Sequence, residues 1–360
     1  MSLFDLDFKN SPYKIEKNEK DKILSRQLLA LTKYHQEHCM EYQRILSAYG
    51  CQIDDAEHYQ YLPYLPVGLF KRLSLSSIPE GTGGIKTVTS SGTTGQKVSR
   101  IALDGETRTL QQQALAAIGN DFIGKQRIPM LVIDSEDTIQ NRNVFSARTA
   151  GILGFSLFAQ KRCFALNRHM ELDMEAVCEF LAQYGKERFL IFGFTFIVWK
   201  QFCLVREARG VKLNLSNGIL IHGGGWKKLE AVSVAKQEFK ERLYRNLGIR
   251  QIHDYYGMAE QSGSIFMECE YGHMHCSDYS GILIRRASDF EICGVGERGI
   301  IQVLSVLPLS YPGHSILTED EGVLLGEDNC PCGRKGAYFN VLGRVKNAEI
   351  RGCSDTYEEI

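Results

Sequence analysis

The sequence lacks a hydrophobic run long enough to cross a membrane. Its longest apolar stretch, residues 189–199, is interrupted by Gly193 and Thr195. A transmembrane helix needs about 20 consecutive apolar residues. We therefore expect a protein that does not insert into a membrane.

The sequence also lacks an excess of either charge. Its 42 Lys and Arg residues face 43 Asp and Glu residues, which gives a formal net charge of -1. Without a broad electrostatic field, we expect neither nucleic acid nor an anionic membrane as a partner. The opening residues, MSLFDLDFKN, do not have the basic start and apolar run of a secretory signal. We expect a cytoplasmic location.

The pattern of apolar residues predicts an α/β fold. Short β-rich runs at 129–134, 189–192 and 218–222 alternate with helical patterns such as the one at 232–247. Such alternation is typical of a layered domain with a largely buried sheet. After Cys269, short β segments separated by Gly, Pro and Cys indicate a smaller β-rich subdomain. The predicted organisation is a helical segment at 1–66, an α/β core at 67–268, a β-rich subdomain at 269–342 and a hinge remnant with a tail at 343–360.

The segment TSSGTTGQKVSR, residues 89–100, is the most informative motif. Glycines let backbone N–H groups approach phosphate oxygens, hydroxyls add donors, and Lys or Arg adds positive charge. It is not a Walker A loop, because Gln96 separates Gly95 from Lys97. The alternative is a flexible Ser/Gly linker. The loop residues predicted to bind ATP are Ser90, Ser91, Gly92, Thr93, Thr94 and Gly95, with Lys97 as a catalytic cation.

This loop resembles the phosphate loop of adenylate-forming enzymes, the superfamily of acyl-CoA synthetases, nonribosomal peptide adenylation domains and luciferases. Further segments resemble that superfamily's motifs and follow in its order: GGG at 223–225, DYYGMAE at 254–260, GERGI at 296–300, TED at 318–320 and GRVKN at 343–347. The resemblance extends from about residue 87 to the end. It implies the layered sheets and helices of the superfamily's N-terminal domain, a smaller β-rich subdomain, and a truncated mobile C-terminal domain.

The resemblance also implies roles for single residues. Tyr256 would stack near adenine, Glu260 would hold magnesium, and Thr94 would contact the phosphates. Asp320 would take the ribose hydroxyls, and Arg344 would approach the ribose or phosphate. Attack of a carboxylate on the α-phosphate needs charge neutralisation more than acid–base chemistry. Outside the loop, the residues assigned to ATP binding are Gly223, Gly224, Gly225, Asp254, Tyr255, Tyr256, Gly257 and Asp320.

Two positions depart from the motifs. Glu319 stands where the Thr-Gly-Asp motif has Gly, and Asn347 stands where the hinge often has an acidic residue. These departures weaken the expectation of domain rotation more than the expectation of adenylation.

A cysteine follows the hinge in the tail AEIRGCSDTYEEI, residues 348–360. A thiolate at Cys353 is a good nucleophile toward an acyl adenylate, and Arg351 would favour its ionised form. With the loop and the length, this narrows the resemblance to LuxE-type acyl-protein synthetases, which are related to phenylacetate-CoA ligases. The alternative for Cys353 is an incidental thiol at a tolerant terminus.

That family resemblance implies a function with ATP and magnesium as cofactors. A fatty acid would be activated to acyl-AMP, transferred to Cys353 as a thioester, and passed to a partner reductase of the acyl-CoA reductase type. The catalytic residues would be Lys97, Glu260, Arg344 and Cys353. One alternative is an adenylate-forming ligase whose acceptor is coenzyme A or a carrier-protein thiol. Another is a non-catalytic docking subunit of a reductase complex.

The segments CEYGHMHC at 269–276 and CPCGR at 330–334 concentrate soft metal ligands. The favoured set for a structural zinc is Cys269, His275, Cys330 and Cys332, with His273 and Cys276 as alternates. The set has the ligand count of a tetrahedral site, and the glycines supply the turns that it needs. The alternative is a group of ordinary thiols, since eleven cysteines in a reducing compartment need not pair.

Overall fold

The computed structural model describes residues 6–51, 53, 57–89, 98–140, 146–208, 210, 212–226 and 233–345. Several predicted site residues lie outside these ranges: Ser90, Ser91, Gly92, Thr93, Thr94, Gly95, Lys97 and Cys353. Among the residues that the structure describes, no helix combines the length and the hydrophobicity needed to cross a membrane.

The helices of the described ranges are numbered in chain order. They are α1 Lys17–His38, α2 Met40–Tyr49, α3 Gly105–Ile123, α4 Asp137–Gln140, α5 Ala147–Phe155, α6 Met174–Tyr184, α7 Thr195–Ile197, α8 Val205–Ala208 and α9 Lys236–Leu247. A π-helical segment, Val198–Leu204, joins α7 to α8. Cys39 adopts an extended backbone between α1 and α2, so the predicted N-terminal helical segment contains two separate helices.

The strands of the same ranges are also numbered in chain order. They are β1 Leu65–Pro66, β2 Lys86–Thr89, β3 Arg100–Leu103, β4 Ile128–Ser135, β5 Ala159–Leu166, β6 Phe189–Phe194, β7 Gly218–Gly223, β8 Gln251–Tyr256, β9 Phe266–Glu268, β10 Met274–His275, β11 Ser280–Arg285, β12 Arg298–Ser305, β13 Ser315–Glu327 and β14 Ala337–Arg344. Strands β4, β6 and β7 contain the three β-rich runs predicted from the sequence.

One compact unit comprises the described residues up to 89, 98–118 and 257–345. Its strands follow the order β11-β12-β13-β14-β10-β9, and β1 pairs in parallel with β13. The strand pairs along this order are antiparallel. The hairpin of β2 and β3 forms a separate two-stranded sheet. Helix α1 contributes Leu24, Leu28 and Leu31 to the core, each at most 1% exposed.

The other compact unit comprises the described residues of 119–256. Its parallel strands follow the order β8-β7-β6-β4-β5. Every residue of β6 and β7 is buried, which explains why both strands contain a continuous apolar run instead of an alternating pattern. The carboxyl ends of β7 and β8 carry the two sequence motifs of this unit.

These units divide the chain differently from the predicted domains. Residues 67–118 and 257–268, predicted as part of the α/β core, group with the N-terminal helices and the later strands. The boundary after β8 separates two halves of one motif, DYYGMAE. A linear division by composition could not show this, because the first unit is assembled from three separate stretches of chain.

Candidate functional site

Glu260, the predicted magnesium ligand, lies in the short 3-10 helix Ala259–Gln261 of the first unit. It is 3% exposed. The hydroxyl of Ser99 donates a hydrogen bond of 2.5 Å to its Oε1. The hydroxyl of Tyr311 donates to its backbone carbonyl at 2.9 Å. Both the side chain and the backbone of Glu260 are therefore fixed by buried donors.

The arrangement at Glu260 fits a magnesium ligand. Carboxylate oxygens are the protein ligands that Mg²⁺ prefers, and a carboxylate offers about four lone-pair positions. The bond from Ser99 uses one of these positions. A second interaction with a cation is therefore compatible with the observed contact.

Asp320 and Arg344 meet on neighbouring strands of the first unit. They are register partners of β13 and β14, and Arg344 Nε lies 3.7 Å from Asp320 Oδ1. Arg344 Nη1 also lies 3.8 Å from Glu319 Oε2. The hydroxyl of Thr318 accepts a hydrogen bond from the Asp320 amide at 3.1 Å, which links the two ends of the Thr-x-Asp motif within β13. The structure thus brings together two residues that the sequence placed 24 positions apart.

In the second unit, the glycine segment follows the end of β7. Gly224 and Gly225 have φ angles of 83° and 61°, a region that favours glycine. A Cβ atom at Gly223 would lie 2.5 Å from the Tyr255 ring, and one at Gly224 would lie 2.5 Å from the Phe194 ring. These glycines therefore allow two aromatic rings to pack against the chain.

The side chains of β8 divide between two faces of the sheet. Tyr255 packs toward Phe155 and Phe192, with ring centroids at 5.3 and 6.3 Å. Because side chains alternate along a strand, Asp254 and Tyr256 share the opposite face. The predicted contact of Tyr255 with ATP stays a prediction, and the structure shows the ring in aromatic packing.

Asp254 lies beside a buried histidine. His222, 3% exposed, is its register partner on β7, and Nδ1 of His222 is 3.6 Å from Asp254 Oδ1. The Thr195 hydroxyl lies 2.9 Å from the same nitrogen. Neither His222 nor Thr195 was predicted from the sequence. The position of His222 immediately before the glycine segment was the available signal.

The two cysteine-rich segments come together in the first unit. Cys269, His275, Cys330 and Cys332 each offer one ligand atom, and all four atoms lie within 4.8 Å of one another. These residues, which we call the Cys/His cluster, are the set favoured from the sequence. Of the alternates, His273 Nδ1 lies 3.3 Å from Cys330 Sγ, whereas Cys276 is not in the group.

Strand pairing and two similar turns build the Cys/His cluster. His275 on β10 pairs with Tyr338 on β14, and the turn before β14 carries Cys330 and Cys332. Gly272 donates its N–H to the Cys269 carbonyl at 2.9 Å, and Gly333 donates to the Cys330 carbonyl at 3.0 Å. Both glycines have positive φ, 81° and 83°. Each Cys-x-x-Gly turn therefore presents a thiol in the same local geometry.

The distances within the cluster fit tetrahedral zinc. Cys269 Sγ and Cys330 Sγ are 3.9 Å apart, close to the separation of about 3.8 Å that two Zn–S bonds of ~2.3 Å give at a tetrahedral angle. Cys332 Sγ and His275 Nε2 are 3.3 Å apart. Burial raises the pKa of Cys330 to about 12 and lowers the pKa of His275 to about 3. The imidazole is thus neutral, as a metal ligand must be, while the thiols need a cation to become thiolates.

Comparisons with known proteins bear on the family and the fold of the chain. The family model described as acyl-protein synthetase, LuxE, matches residues 1–360. A long-chain-fatty-acid–luciferin-component ligase from Vibrio harveyi is 24% identical over 364 residues, which cover 97% of this chain and 91% of that protein.

Solved structures of 2-hydroxyisobutyryl-CoA ligase have a similar fold. The complex with 2-HIB-AMP and CoA in the thioesterification state has a TM-score of 0.75 at 16% identity, and covers 96% of this chain and 75% of that chain. The postadenylation complex with 2-HIB-AMP has a TM-score of 0.73 at 16% identity, with coverage of 96% and 74%.

Proposed function

The chain belongs to the LuxE family of acyl-protein synthetases, and from this premise we propose that it activates a fatty acid with ATP and carries the acyl group on Cys353. The match of that family over the whole chain carries the proposal. The adenylate-forming fold, predicted from the sequence and shared with 2-hydroxyisobutyryl-CoA ligase, agrees with it. The Vibrio harveyi relative, a long-chain-fatty-acid ligase by name, supports a fatty acid as the substrate.

In the first step, a carboxylate oxygen of the fatty acid attacks the α-phosphorus of ATP. A new O–P bond forms, the bond to the β-phosphate oxygen breaks, and pyrophosphate leaves. The protein has to position the reactants and neutralise charge. Lys97 and the loop hydroxyls would bind the phosphates, Arg344 would bind the ribose or a phosphate, and Asp320 would accept hydrogen bonds from the ribose hydroxyls.

Glu260 would hold the magnesium ion, which supplies positive charge beside the phosphates when it is bound. The buried donors Ser99 and Tyr311 fix this carboxylate in advance. Preorganised groups stabilise developing charge without reorganising during the reaction. Tyr256 would stack on adenine, from the face of β8 that also carries Asp254.

In the second step, the Cys353 thiolate attacks the acyl carbonyl carbon of the acyl-AMP. The C–S bond forms, the C–O bond to the phosphate breaks, and AMP leaves. The acyl group then passes to a nucleophile of a partner reductase of the acyl-CoA reductase type: a new acyl bond forms on the reductase, the C–S bond to Cys353 breaks, and the Cys353 thiol is released. A cytoplasmic location for this reaction remains a prediction from the sequence.

The Cys/His cluster would hold a structural zinc. Its four donors complete a tetrahedral set, which leaves no position for a substrate. Three of the four residues are buried, and the cluster joins the turn before β14 to strands β9 and β10. The zinc would therefore stabilise the β-rich part of the first unit and take no part in acyl transfer.

Exchange of radiolabelled pyrophosphate into ATP tests the adenylation step. We expect exchange that requires both the fatty acid and Mg²⁺, and that persists in Cys353→Ala, because the thiol acts only after adenylation. The absence of exchange in the wild type would favour a docking subunit. Product formation that requires added coenzyme A would favour a ligase with a small-thiol acceptor.

A further inference from the structure

We propose that Ser99 is a positioning residue that couples the magnesium-binding carboxylate of Glu260 to the base of the phosphate loop. This inference rests on the proposed function, since it concerns how Glu260 is held for magnesium. Ser99 stands outside the Ser-Ser-Gly-Thr-Thr-Gly-Gln-Lys segment from which the phosphate contacts were predicted.

The contact between the two side chains is short and buried. The Ser99 hydroxyl donates to Glu260 Oε1 at 2.5 Å, and the two residues are 0% and 3% exposed. Oxygen–oxygen distances of about 2.5–2.7 Å are typical of hydrogen bonds to an ionised acceptor. In a buried setting, such a bond restricts the carboxylate to one orientation more strongly than it would in water.

Ser99 lies at the end of the segment that joins β2 to β3, so its contact links Glu260 to that segment. Strands β2 and β3 pair antiparallel, with Thr89 opposite Arg100. Residues 90–99 therefore connect two paired strands, and they contain all the loop residues predicted to bind ATP, together with Lys97. Ser99, one residue before β3, lies at the base of this connection. A shift of that base would move the hydroxyl that holds Glu260.

The backbone of the turn that carries Glu260 is anchored separately. Tyr311 donates to the Glu260 carbonyl at 2.9 Å. The Gln261 side chain donates to the Gly313 carbonyl at 2.8 Å and to the Val303 carbonyl at 3.2 Å. These bonds fix where the turn lies, whereas the bond from Ser99 fixes where the carboxylate points. Loss of the Ser99 hydroxyl should therefore affect the cation more than the fold.

The test compares Ser99→Ala with Ser99→Thr, which keeps a hydroxyl. Calorimetry measures the affinity for ATP at saturating Mg²⁺ and in EDTA, without fatty acid. We define the Mg²⁺ ratio as the affinity for ATP at saturating Mg²⁺ divided by the affinity in EDTA. We expect this ratio to fall about tenfold or more in Ser99→Ala, the size typical of a lost hydrogen bond to a charged group. Ser99→Thr should retain the ratio within about threefold. The Mg²⁺ concentration for half-maximal pyrophosphate exchange should rise in parallel.

Ser280→Ala is the matched control. Ser280 is also fully buried in the first unit, and its hydroxyl lies 3.0 Å from that of Ser277. If Ser99→Ala lowers thermal stability as Ser280→Ala does but leaves the Mg²⁺ ratio of ATP binding unchanged, Ser99 is merely structural and the inference is overturned. A wild type without fatty-acid-dependent exchange would instead contradict the proposed function. The binding ratio decides the role of Ser99 independently of that result.

Discussion

Two groups in the first unit are proposed to bind metals, and they differ in the number of protein ligands that they offer. The Cys/His cluster gathers four protein donors from two turns and from strand β10, with its distances already suited to a tetrahedral ion. At Glu260, a single carboxylate is fixed by Ser99, and under the proposed function this carboxylate would be the ligand that the protein offers to magnesium. Structural zinc sites close their coordination with protein atoms, whereas Mg²⁺ at phosphate-transfer sites is held largely by substrate and water.

This difference in coordination separates stability from activity. A closed cluster should contribute mainly to folding, because metal binding and folding are coupled when the ligands come from separate stretches of chain. A single ligand with a fixed orientation should contribute mainly to the reaction. Variants of the Cys/His cluster should therefore lose mainly stability, whereas variants at Glu260 should lose mainly activity.

The largest effect on stability is expected for Cys330→Ser. The variant removes the thiol that contacts both Cys269 and His273, so that zinc would lose one of four ligands. We expect the bound zinc to fall below one equivalent and the Tm to fall by on the order of 10 °C. Metal analysis by mass spectrometry and thermal unfolding would measure both. Cys178→Ser, at an exposed cysteine of α6, is the control. Equal zinc content and Tm in all three proteins would contradict a zinc site.

Glu260→Gln should lower the activity and leave the stability nearly unchanged, the reverse of Cys330→Ser. The amide oxygen can still accept the bond from Ser99, but the negative charge that attracts magnesium is lost. We expect pyrophosphate exchange to fall about 100-fold, similar to the loss of one preorganised charge-stabilising group. The free energy of unfolding should change by less than about 1 kcal/mol, as when a hydrogen bond is retained. Pyrophosphate exchange near the wild-type level would show that Glu260 is not needed for the adenylation step.

Two buried histidines of the first unit should make the stability of the protein depend on pH. His35 and His314 stack with ring centroids 5.1 Å apart, and burial lowers the pKa of His314 to about 3 and that of His35 well below its usual range. Below pH 6.5 the unfolded chain binds protons that the folded chain excludes, so stability should fall with pH from about 6.5 toward 3. In this interval, each such histidine lowers the free energy of unfolding by up to about 1.4 kcal/mol for each unit by which the pH falls. Above pH 6.5 it has no such effect.

Urea unfolding at pH 7.5, 6.5 and 5.5 tests this expectation. His314→Gln removes one titrating group, and its stability should depend less steeply on pH than that of the wild type. Identical slopes for the two proteins would show that His314 does not govern acid lability.

The smallest effect is expected at Glu319, the departure from the Thr-Gly-Asp motif. Its carboxylate lies 3.8 Å from Arg344, and the two side chains are 27% and 34% exposed. Partly exposed ion pairs contribute roughly 0–1 kcal/mol. Glu319→Gln should therefore change the free energy of unfolding by less than about 1 kcal/mol and the KM for ATP by only a few-fold. Arg344→Gln, which also loses the contact with Asp320, should raise that KM more. Equal effects would indicate that Arg344 acts through Glu319.

The sequence predicted features that depend on local pattern and ligand chemistry. The buried strands β6 and β7 could be predicted because every position except His222 is apolar or small. The Cys/His cluster was visible because soft ligands and turn glycines stand out in composition. The division of the predicted helical segment into α1 and α2 at Cys39 could not be predicted, because cysteine carries no strong signal for a helix end.

Two other contacts between distant positions could not be predicted from the sequence. The bond from Ser99 to Glu260 joins residues 161 positions apart, and a serine beside a phosphate loop is inconspicuous in the sequence. Likewise, the placement of His222 beside Asp254 depends on the pairing of β7 with β8. The division of the β8 side chains between two faces also becomes informative only when the neighbours of Tyr255 are known.

Intact-protein mass spectrometry tests the central proposal most directly. The protein is incubated with ATP, Mg²⁺ and a mixture of fatty acids, as wild type, as Cys353→Ala and as Cys178→Ala, the matched change at an exposed cysteine. We predict an added acyl mass on the wild type and on Cys178→Ala, removed by hydroxylamine and absent from Cys353→Ala. An acyl mass that persists in Cys353→Ala, or none on any protein while ATP is consumed only with an added thiol, would contradict the proposal.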